Sequence, residues 1–157
     1  MTDLILRDGT VDDVVAMSAF LTRLKEMGIR KIPADPDFVR DSYVGAPNKV
    51  KLTVAELDGK VVGLQILKRA LADDPYGTPE GWGSVGTHLD PAHRRQGIGR
   101  ALFAETLAAA RAAGLPWIDA SIGDDNAGGL AYYDAMGFET HATPPGRVRK
   151  RIAVPAA

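Results

Sequence analysis

Cysteine is absent from the 157 residues, which excludes disulfides, thiolate nucleophiles and cysteine metal sites. The histidines, His88, His93 and His141, show no metal-ligand spacing, so no metal is expected. A dominant charge is also missing. The 19 Lys and Arg against 20 Asp and Glu leave a net charge of −1, which argues against a nucleic-acid partner. The basic run Arg147, Arg149, Lys150 and Arg151 could be a basic address or an RNA contact, but the interleaved Val148, Ile152 and Val154 suit a terminal strand with solvated charges. No signal-peptide core and no apolar run of membrane-spanning length is present, so a soluble cytoplasmic protein without a membrane partner is expected. Repeats, linkers and low-complexity tails are missing too, and the length suits a single domain over residues 1–157.

What is present centres on Leu89-Asp90-Pro91-Ala92-His93-Arg94-Arg95-Gln96-Gly97-Ile98-Gly99-Arg100. Asp90-Pro91 closes a strand, because proline has no amide donor and forces the preceding residue into extended geometry. Gly97 and Gly99 allow a sharp turn and close approach of a bound group. The amides of the loop and of the first helical turn lack internal partners, and the helix dipole is positive there. Arg94, Arg95 and Arg100 add full charges. The stretch reads as an anion site for phosphate or pyrophosphate. Alone, R-x-x-G-x-G is equally compatible with a solvated basic turn, and neither G-x-x-x-x-G-K-[ST] nor a completed G-x-G-x-x-G occurs.

The flanks supply context. A helix from about Gly97 to Ala113 meets Gly114 at its C-cap and Pro116 two residues on; Trp117 to Ile122 is then a strand. Upstream, Leu4 to Arg7 is a short strand. Thr10-Val11-Asp12-Asp13 opens a helix with Val14, Val15, Phe20, Leu21 and Leu24 as its apolar contacts, ended by Gly28. Pro36 starts a short helix through about Tyr43. Lys51 to Leu57, Asp58-Gly59 and Lys60 to Arg69 form a hairpin with a type I′ turn. Ala70 to Gly81 is a loop, a fourth strand runs to Leu89, and two further strands lie at Phe138 to His141 and Arg147 to Val154. The order β-α-α-β-β-β-α-β-α-β-β gives an α/β fold, a mixed sheet with helices on both faces.

Asn126 to Phe138 reads N-A-G-G-L-A-Y-Y-D-A-M-G-F, a helix opened by Asn or Asp and closed by Gly137. Asn126 and Tyr133 are seven apart and share a helix face; Tyr132 falls off that face and reads as core. Gly128 and Gly129 each cost about 1 kcal/mol relative to alanine, which suggests a soft first turn.

Leu-x-Pro, R-x-x-G-x-G, a long helix and N-x₆-Y-x₃-G-F together resemble the GCN5-related N-acetyltransferase (GNAT) superfamily. The motifs span about Gly81 to Phe138, and weaker flanking pattern extends the likeness to nearly the whole chain. The resemblance implies a mostly antiparallel central sheet and acetyl-CoA as co-substrate. It places the pyrophosphate on the amides around Arg94, Arg95, Gln96, Gly97, Ile98, Gly99 and Arg100. It sets backbone groups of Thr87 and Leu89 against the pantetheine and the thioester carbonyl, one amide acting as oxyanion donor. Asn126 would contact the cofactor's arm. Tyr133 would bind near the sulfur and protonate the departing thiolate, which a phenol with pKa near ~10 can do at neutral pH; a packing role for Tyr133 is the alternative.

The base is missing where the family often carries Glu or His, about six residues before Leu89. That position is Gly83, with Gly81 and Ser84 nearby. His88 points to the face opposite Thr87 and Leu89 and reads as core or surface, while Glu56 and Asp119 are weakly placed. A water relay or an acceptor of low pKa fits better. The resemblance implies that the acceptor is set by the first two helices and the loop before the fourth strand, roughly Met27 to Val50 and Ala70 to Glu80, where Asp73, Asp74 and Glu80 could attract an ammonium or be merely solvated, and Tyr76 could wall the pocket. The motifs do not specify the acceptor; a small-molecule amine is the first expectation and a protein or peptide amine the second, and a homodimer stays open. The rival classes are a non-catalytic acyl-CoA-binding domain and an enzyme acting on charged tRNA, the latter disfavoured by the near-neutral charge.

Overall fold

The computed structural model describes residues 3–157; Met1 and Thr2 of the expected domain lie outside the described residues. The strands are β1 (Leu4–Asp8), β2 (Lys49–Leu57), β3 (Lys60–Arg69), β4 (Gly83–Leu89), β5 (Trp117–Gly123), β6 (Glu139–Ala142) and β7 (Arg147–Ala153). They form one sheet in the order β1-β2-β3-β4-β5-β7-β6. The helices are α1 (Val14–Glu26), α2 (Pro36–Val39), α3 (Ile98–Ala112) and α4 (Ala127–Ala135). Among the described residues β4 and β5 pair in parallel and all other neighbours are antiparallel. This is the mixed α/β order that the sequence predicts.

Local chemistry explains the elements. Asp58 and Gly59 both have positive φ, 51° and 75°, as the type I′ turn of the β2–β3 hairpin requires. In α1 the buried face is Val14, Met17, Ser18, Phe20, Leu21 and Leu24, spaced to put one stripe on the sheet. Val15, expected among those contacts, is 76% exposed, and Met17 takes its place. The Asp35 carboxylate caps α2 by accepting from the Phe38 amide, with Pro36 at the first helical position. Where a plain helix to Tyr43 is predicted, α2 passes into a π-helical turn, Arg40–Val44, closed by Gly45 N donating to Arg40 O at 2.7 Å. The extra residue per turn swings Tyr43 onto the core, where it is 4% exposed.

The sheet separates two apolar layers. Leu64 and Ile66 of β3 face α1 and α2, packing with Met17, Phe20, Val39 and Tyr43. Leu67, Val85, Ile118, Ala120 and Ile122 face the opposite way, against Phe103 of α3 and Tyr133 of α4. The C-terminal basic run departs from the expected solvated strand. Lys150 is 5% exposed and pairs with Asp134, while Arg147 donates to Ser121, Arg149 to Asp119, and the Arg151 guanidinium lies 4.3 Å from the Trp117 ring centroid. These cations are committed to neighbouring elements, because β7 is an internal strand between β5 and β6.

One irregularity positions everything that follows. β4 and β5 are paired only at Gly83↔Ile118 and Ser84↔Asp119, and then diverge. β3 stays paired with β4 to its end, so the gap opens on the β5 side of β4.

Candidate active site

Asp90 N donates to Val62 O, and Ala70 N to Trp82 O. With the unbroken register from Gly63↔Leu89 to Arg69↔Gly83, those bonds fix the alternation of the antiparallel ladder. His88, Gly86 and Ser84 exchange bonds with β3, and the N–H and C=O of Thr87 and Leu89 point away from it, into the gap. An extended chain bearing amides can complete such an edge as an added strand would.

Beyond Leu89 the Asp90 carboxylate accepts from the Ala92 amide at 2.9 Å and holds a short 3₁₀ turn, Pro91–His93. Arg95 (φ 62°) and Gly97 (φ 78°) then both adopt left-handed backbone. For an arginine this conformation costs ~1 kcal/mol or more, and such strain clusters at ligand-binding turns. Among the described residues no protein acceptor meets the amides of 95–100. They line a cradle at the positive end of the 15-residue α3. A Cβ at Gly97 would meet nothing within 4 Å, so the space above it is open. Arg94, Arg95, Gln96 and Arg100 are exposed around it, and Ile98 is buried, anchoring the helix start.

Gly99 serves a different purpose from the one its motif suggests. A Cβ there would lie 2.6 Å from Tyr132 Cε1 and 3.1 Å from Leu89 Cδ1. The missing side chain makes room for the protein's own Tyr132 ring. Tyr132 in turn donates its hydroxyl proton to Gly99 O at 2.7 Å and accepts from Gln65 Nε2 at 3.0 Å. It is therefore more than the core residue expected: it ties α4 to the first turn of α3.

Gln65, fully buried in the apolar run of β3, also donates to Thr87 Oγ1 at 2.9 Å. Thr87 Oγ1 lies 2.7 Å from the Tyr133 hydroxyl. Tyr133 is 5% exposed, packed edge-on against Phe138 and Tyr132. Burial pushes the Tyr133 phenol well above its ordinary range, and the Tyr132 phenol up to about 12. Both therefore keep their protons at neutral pH. Sequence reasoning missed Gln65, whose only signal is a lone polar residue within Val61-Val62-Gly63-Leu64-Gln65-Ile66-Leu67.

Asn126 caps α4, its Oδ1 accepting from Gly129 N at 3.0 Å. It is exposed, whereas Tyr133 is buried, so their seven-residue spacing does not place both on a common exposed face. Gly129 has a packing reason: a Cβ there would lie 2.7 Å from Asn126 Nδ2.

On the other face of the sheet, α1 and α2 cover β2 and β3, but Ser84, Gly86 and His88 of β4 and Ser121 of β5 are only partly buried. The cover stops at β4, leaving a groove. Tyr43 and Arg30 wall it on one side. On the other stand Tyr76 and Arg147, with the Arg147 guanidinium 5.0 Å from the Tyr76 ring centroid. Lys31, after α1, pairs with Asp125, after β5, at 2.9 Å across the opening. His88 Nε2 is 3.1 Å from Arg30 Nη1 and 3.4 Å from the Tyr43 hydroxyl. Burial and the adjacent guanidinium lower its pKa to about 3, so the ring is neutral at working pH. Gly83 faces the opposite layer, where a Cβ would lie 2.9 Å from Leu67 Cδ1, so no side chain at that position reaches the groove. Asp119 is buried and saturated by Thr78, His141 and Arg149. Asp74 is turned to the amides of Tyr76 and Thr78, both at 3.0 Å, and Asp73 and Glu80 are exposed. The acidic loop residues thus shape the loop or face solvent. Among the described residues no cluster of His, Asp and Glu could hold a metal ion, and no helix is long and apolar enough to cross a membrane.

A parallel pair that opens into a gap, followed by a phosphate-type cradle, is the arrangement of an acyl-CoA transferase fold. The sequence profile of the acetyltransferase (GNAT) family matches residues 16–138. The chain belongs to that family, and so to the acetyl-CoA-dependent N-acetyltransferases. No curated protein sequence gives a significant match. Solved structures agree in fold. A GNAT-family acetyltransferase of Streptococcus pneumoniae superposes with a TM-score of 0.77 at 16% identity, covering 98% of this chain and 100% of that one. YncA of Salmonella typhimurium, solved with acetyl-CoA, gives 0.71 at 17% identity over 97% and 94% of the two chains. The ribosomal-protein-alanine N-acetyltransferase of Brucella melitensis gives 0.71 at 20% identity over 95% and 99%.

Proposed function

We propose that the chain acts as one domain that transfers the acetyl group of acetyl-CoA to the amine of a small molecule, by direct attack on the thioester. The observation that carries this reading is the convergence at Thr87 of an open strand edge and the Tyr133 hydroxyl, 2.7 Å from Thr87 Oγ1. Bound acetyl-CoA supplies an acyl group activated as a thioester. The amides of 95–100, with Arg94, Arg95, Gln96 and Arg100 around them, would hold its pyrophosphate over the open face of Gly97, on a helix start fixed by Ile98 and Gly99. Thr87 and Leu89 would offer backbone bonds to the pantetheine amides, and one of these N–H groups would stabilise the carbonyl oxygen as charge develops. Asn126 would reach the arm through the Nδ2 left over from its cap.

For Tyr133 the raised pKa refines the expected role. A thiol has a pKa near ~8.5, so a phenol held far above that gives up its proton only against a steep gradient. With Gln65 on one lone pair of Thr87 Oγ1, the Thr87 hydroxyl is free to donate to the Tyr133 oxygen, and in that arrangement the Tyr133 proton would be left for the sulfur. The role supported is a hydrogen bond to the departing sulfur, with the proton retained.

Deprotonation of the amine falls to water. His88 lies at the groove, and burial together with the adjacent Arg30 guanidinium holds it neutral. Hence kcat/KM should climb about tenfold per pH unit towards the amine's own pKa. The check is thiol release across pH 5.5–9.5, where a plateau near pH 6–7 that moves in His88→Gln would contradict it. The groove between Tyr43 and Tyr76, with the Lys31–Asp125 pair joining its two sides, favours a small molecule over a protein amine. Gly83 is the feature that favours a non-catalytic acyl-CoA-binding domain instead. A thiol-release screen against small amines and peptides tests both, since turnover of small amines supports the proposal and preference for peptides, or no turnover with intact CoA binding, overturns it.

A further inference from the structure

A guanidinium holds its charge under all conditions a folded protein meets, and burying it without a counter-ion costs several kcal/mol. Arg30 is 4% exposed. Its Nε and Nη2 donate to Pro33 O, and its Nη1 reaches Tyr43 Oη at 2.9 Å and His88 Nε2 at 3.1 Å. All of these partners are neutral. Four of the five N–H groups serve these contacts, so one Nη2–H remains. Phe38 and Tyr43 face the cation with their rings, at 5.8 and 5.6 Å from the centroids. Ring faces soften a buried charge without cancelling it.

A second cation repeats the pattern independently. Lys68, half-buried on β3, holds its Nζ 5.7 Å from the same Tyr43 ring, and burial pushes its pKa down. The carboxylate whose field acts on it, Asp74, forms no ion pair with it and accepts from the Tyr76 and Thr78 amides through Oδ2. Among the described residues neither Arg30 nor Lys68 forms an ion pair, although Arg7, Arg23, Lys31, Arg40, Lys51, Arg149, Lys150 and Arg151 all do. Arg30, with no carboxylate partner, and Lys68, with only the field of Asp74, therefore both lie against the Tyr43 ring, 5.6 and 5.7 Å from its centroid, at the wall of the acceptor groove.

We infer that the acceptor carries an anionic group, a carboxylate or phosphonate, in addition to its amine, and that Arg30, Lys68 and the Tyr43 hydroxyl hold that anion on the β4 side of the groove. The inference rests on the amine-acceptor reading above and narrows its substrate class. His88, which touches Arg30, directly follows Thr87, about 3.3 Å along the strand. Anion and amine are thus separated by a short span, which suits a small amino acid or aminophosphonate. The anion would also fix the amine's orientation toward the Thr87 opening, a positioning contribution of the kind that intramolecular reactions exhibit.

The test uses matched pairs of amines: phenylalanine against phenylalaninamide, and 2-aminoethylphosphonate against ethanolamine. Affinity is read by calorimetry with and without CoA, and kcat/KM by thiol release. The anionic member of at least one pair should be favoured at least ~10-fold, a margin typical of one charge-assisted contact. Which pair responds separates carboxylate from phosphonate. Lys68→Gln and Arg30→Gln should each bring the ratio towards one, a readout that a purely structural role would not move. Where loss of the Pro33 bonds unfolds the Arg30 variant, Lys68→Gln carries the test. Equal or reversed preference in both pairs, or a preference unaltered in Lys68→Gln, overturns the inference. Failure of CoA itself to bind overturns the coenzyme reading, and acceptor affinity measured without CoA still decides this one.

Discussion

Replacing Tyr133 by Phe is expected to lower kcat about 10²–10³-fold, the usual consequence of removing one preorganised donor from developing negative charge. The substitution keeps the ring that packs against Phe138 and deletes only the hydroxyl beside Thr87. CoA affinity should change little, because the pyrophosphate cradle is untouched. Tyr132→Phe is the control. It removes the bonds to Gly99 O and Gln65 Nε2, which leaves buried polar groups short of partners at a cost of ~1–3 kcal/mol. Its effect should therefore be seen in melting temperature. Steady-state thiol release and thermal melts on both variants separate the two. A near-wild-type kcat for Tyr133→Phe, or a loss of kcat confined to Tyr132→Phe, would assign the working hydroxyl to the wrong tyrosine.

Gly97→Val is expected to weaken CoA binding about 10²-fold, and Gly99→Val to destabilise the fold instead. At Gly97 a side chain has open space, but φ of 78° is a backbone state that a β-branched residue strongly resists. The loop must rearrange, and the methyls would sit over the donors of 95–100. Losing two charge-assisted bonds at ~1.5 kcal/mol each gives the stated factor. At Gly99 the added atoms run into the Tyr132 ring and Leu89, overpacking of a kind that costs ~1–3 kcal/mol. Calorimetry with CoA and thermal melts give the two readouts. Unchanged affinity in a folded Gly97→Val protein would remove the cradle from the site.

Much of this site was legible in the sequence because punctuation marks it. Pro91, Gly97, Gly114 and Gly137 are local signals, and each sets a strand end, a left-handed turn or a helix cap that chain neighbours enforce. The alternation of β4 likewise separates Thr87 and Leu89 from His88, which the contacts with Gln65 and Tyr133 on one face, and Arg30 and Tyr43 on the other, bear out. What the sequence did not reveal depends on distant parts of the chain. The two glycines of the loop look alike in sequence, but Gly99 is small for Tyr132, 33 positions away. Arg30 meets His88 across 58 positions, and no local pattern marks either as a partner of the other. The π turn that brings in Tyr43 is a departure from helical period that tertiary packing imposes. The basic C-terminal run reads as solvent-exposed until β7 is known to lie inside the sheet.

The central claim is that acetyl-CoA occupies the gap between β4 and β5 with its phosphates on the turn into α3. Amide hydrogen exchange with and without CoA addresses it most directly, since it reports on the N–H groups the account assigns. Protection on adding CoA is expected at the amides of 95–100 and at Thr87 and Leu89, which have no protein acceptor to slow them in the free protein, with little change at His88, already bonded to β3. Protection confined to other segments, or none in a protein that binds CoA by calorimetry, would contradict the account.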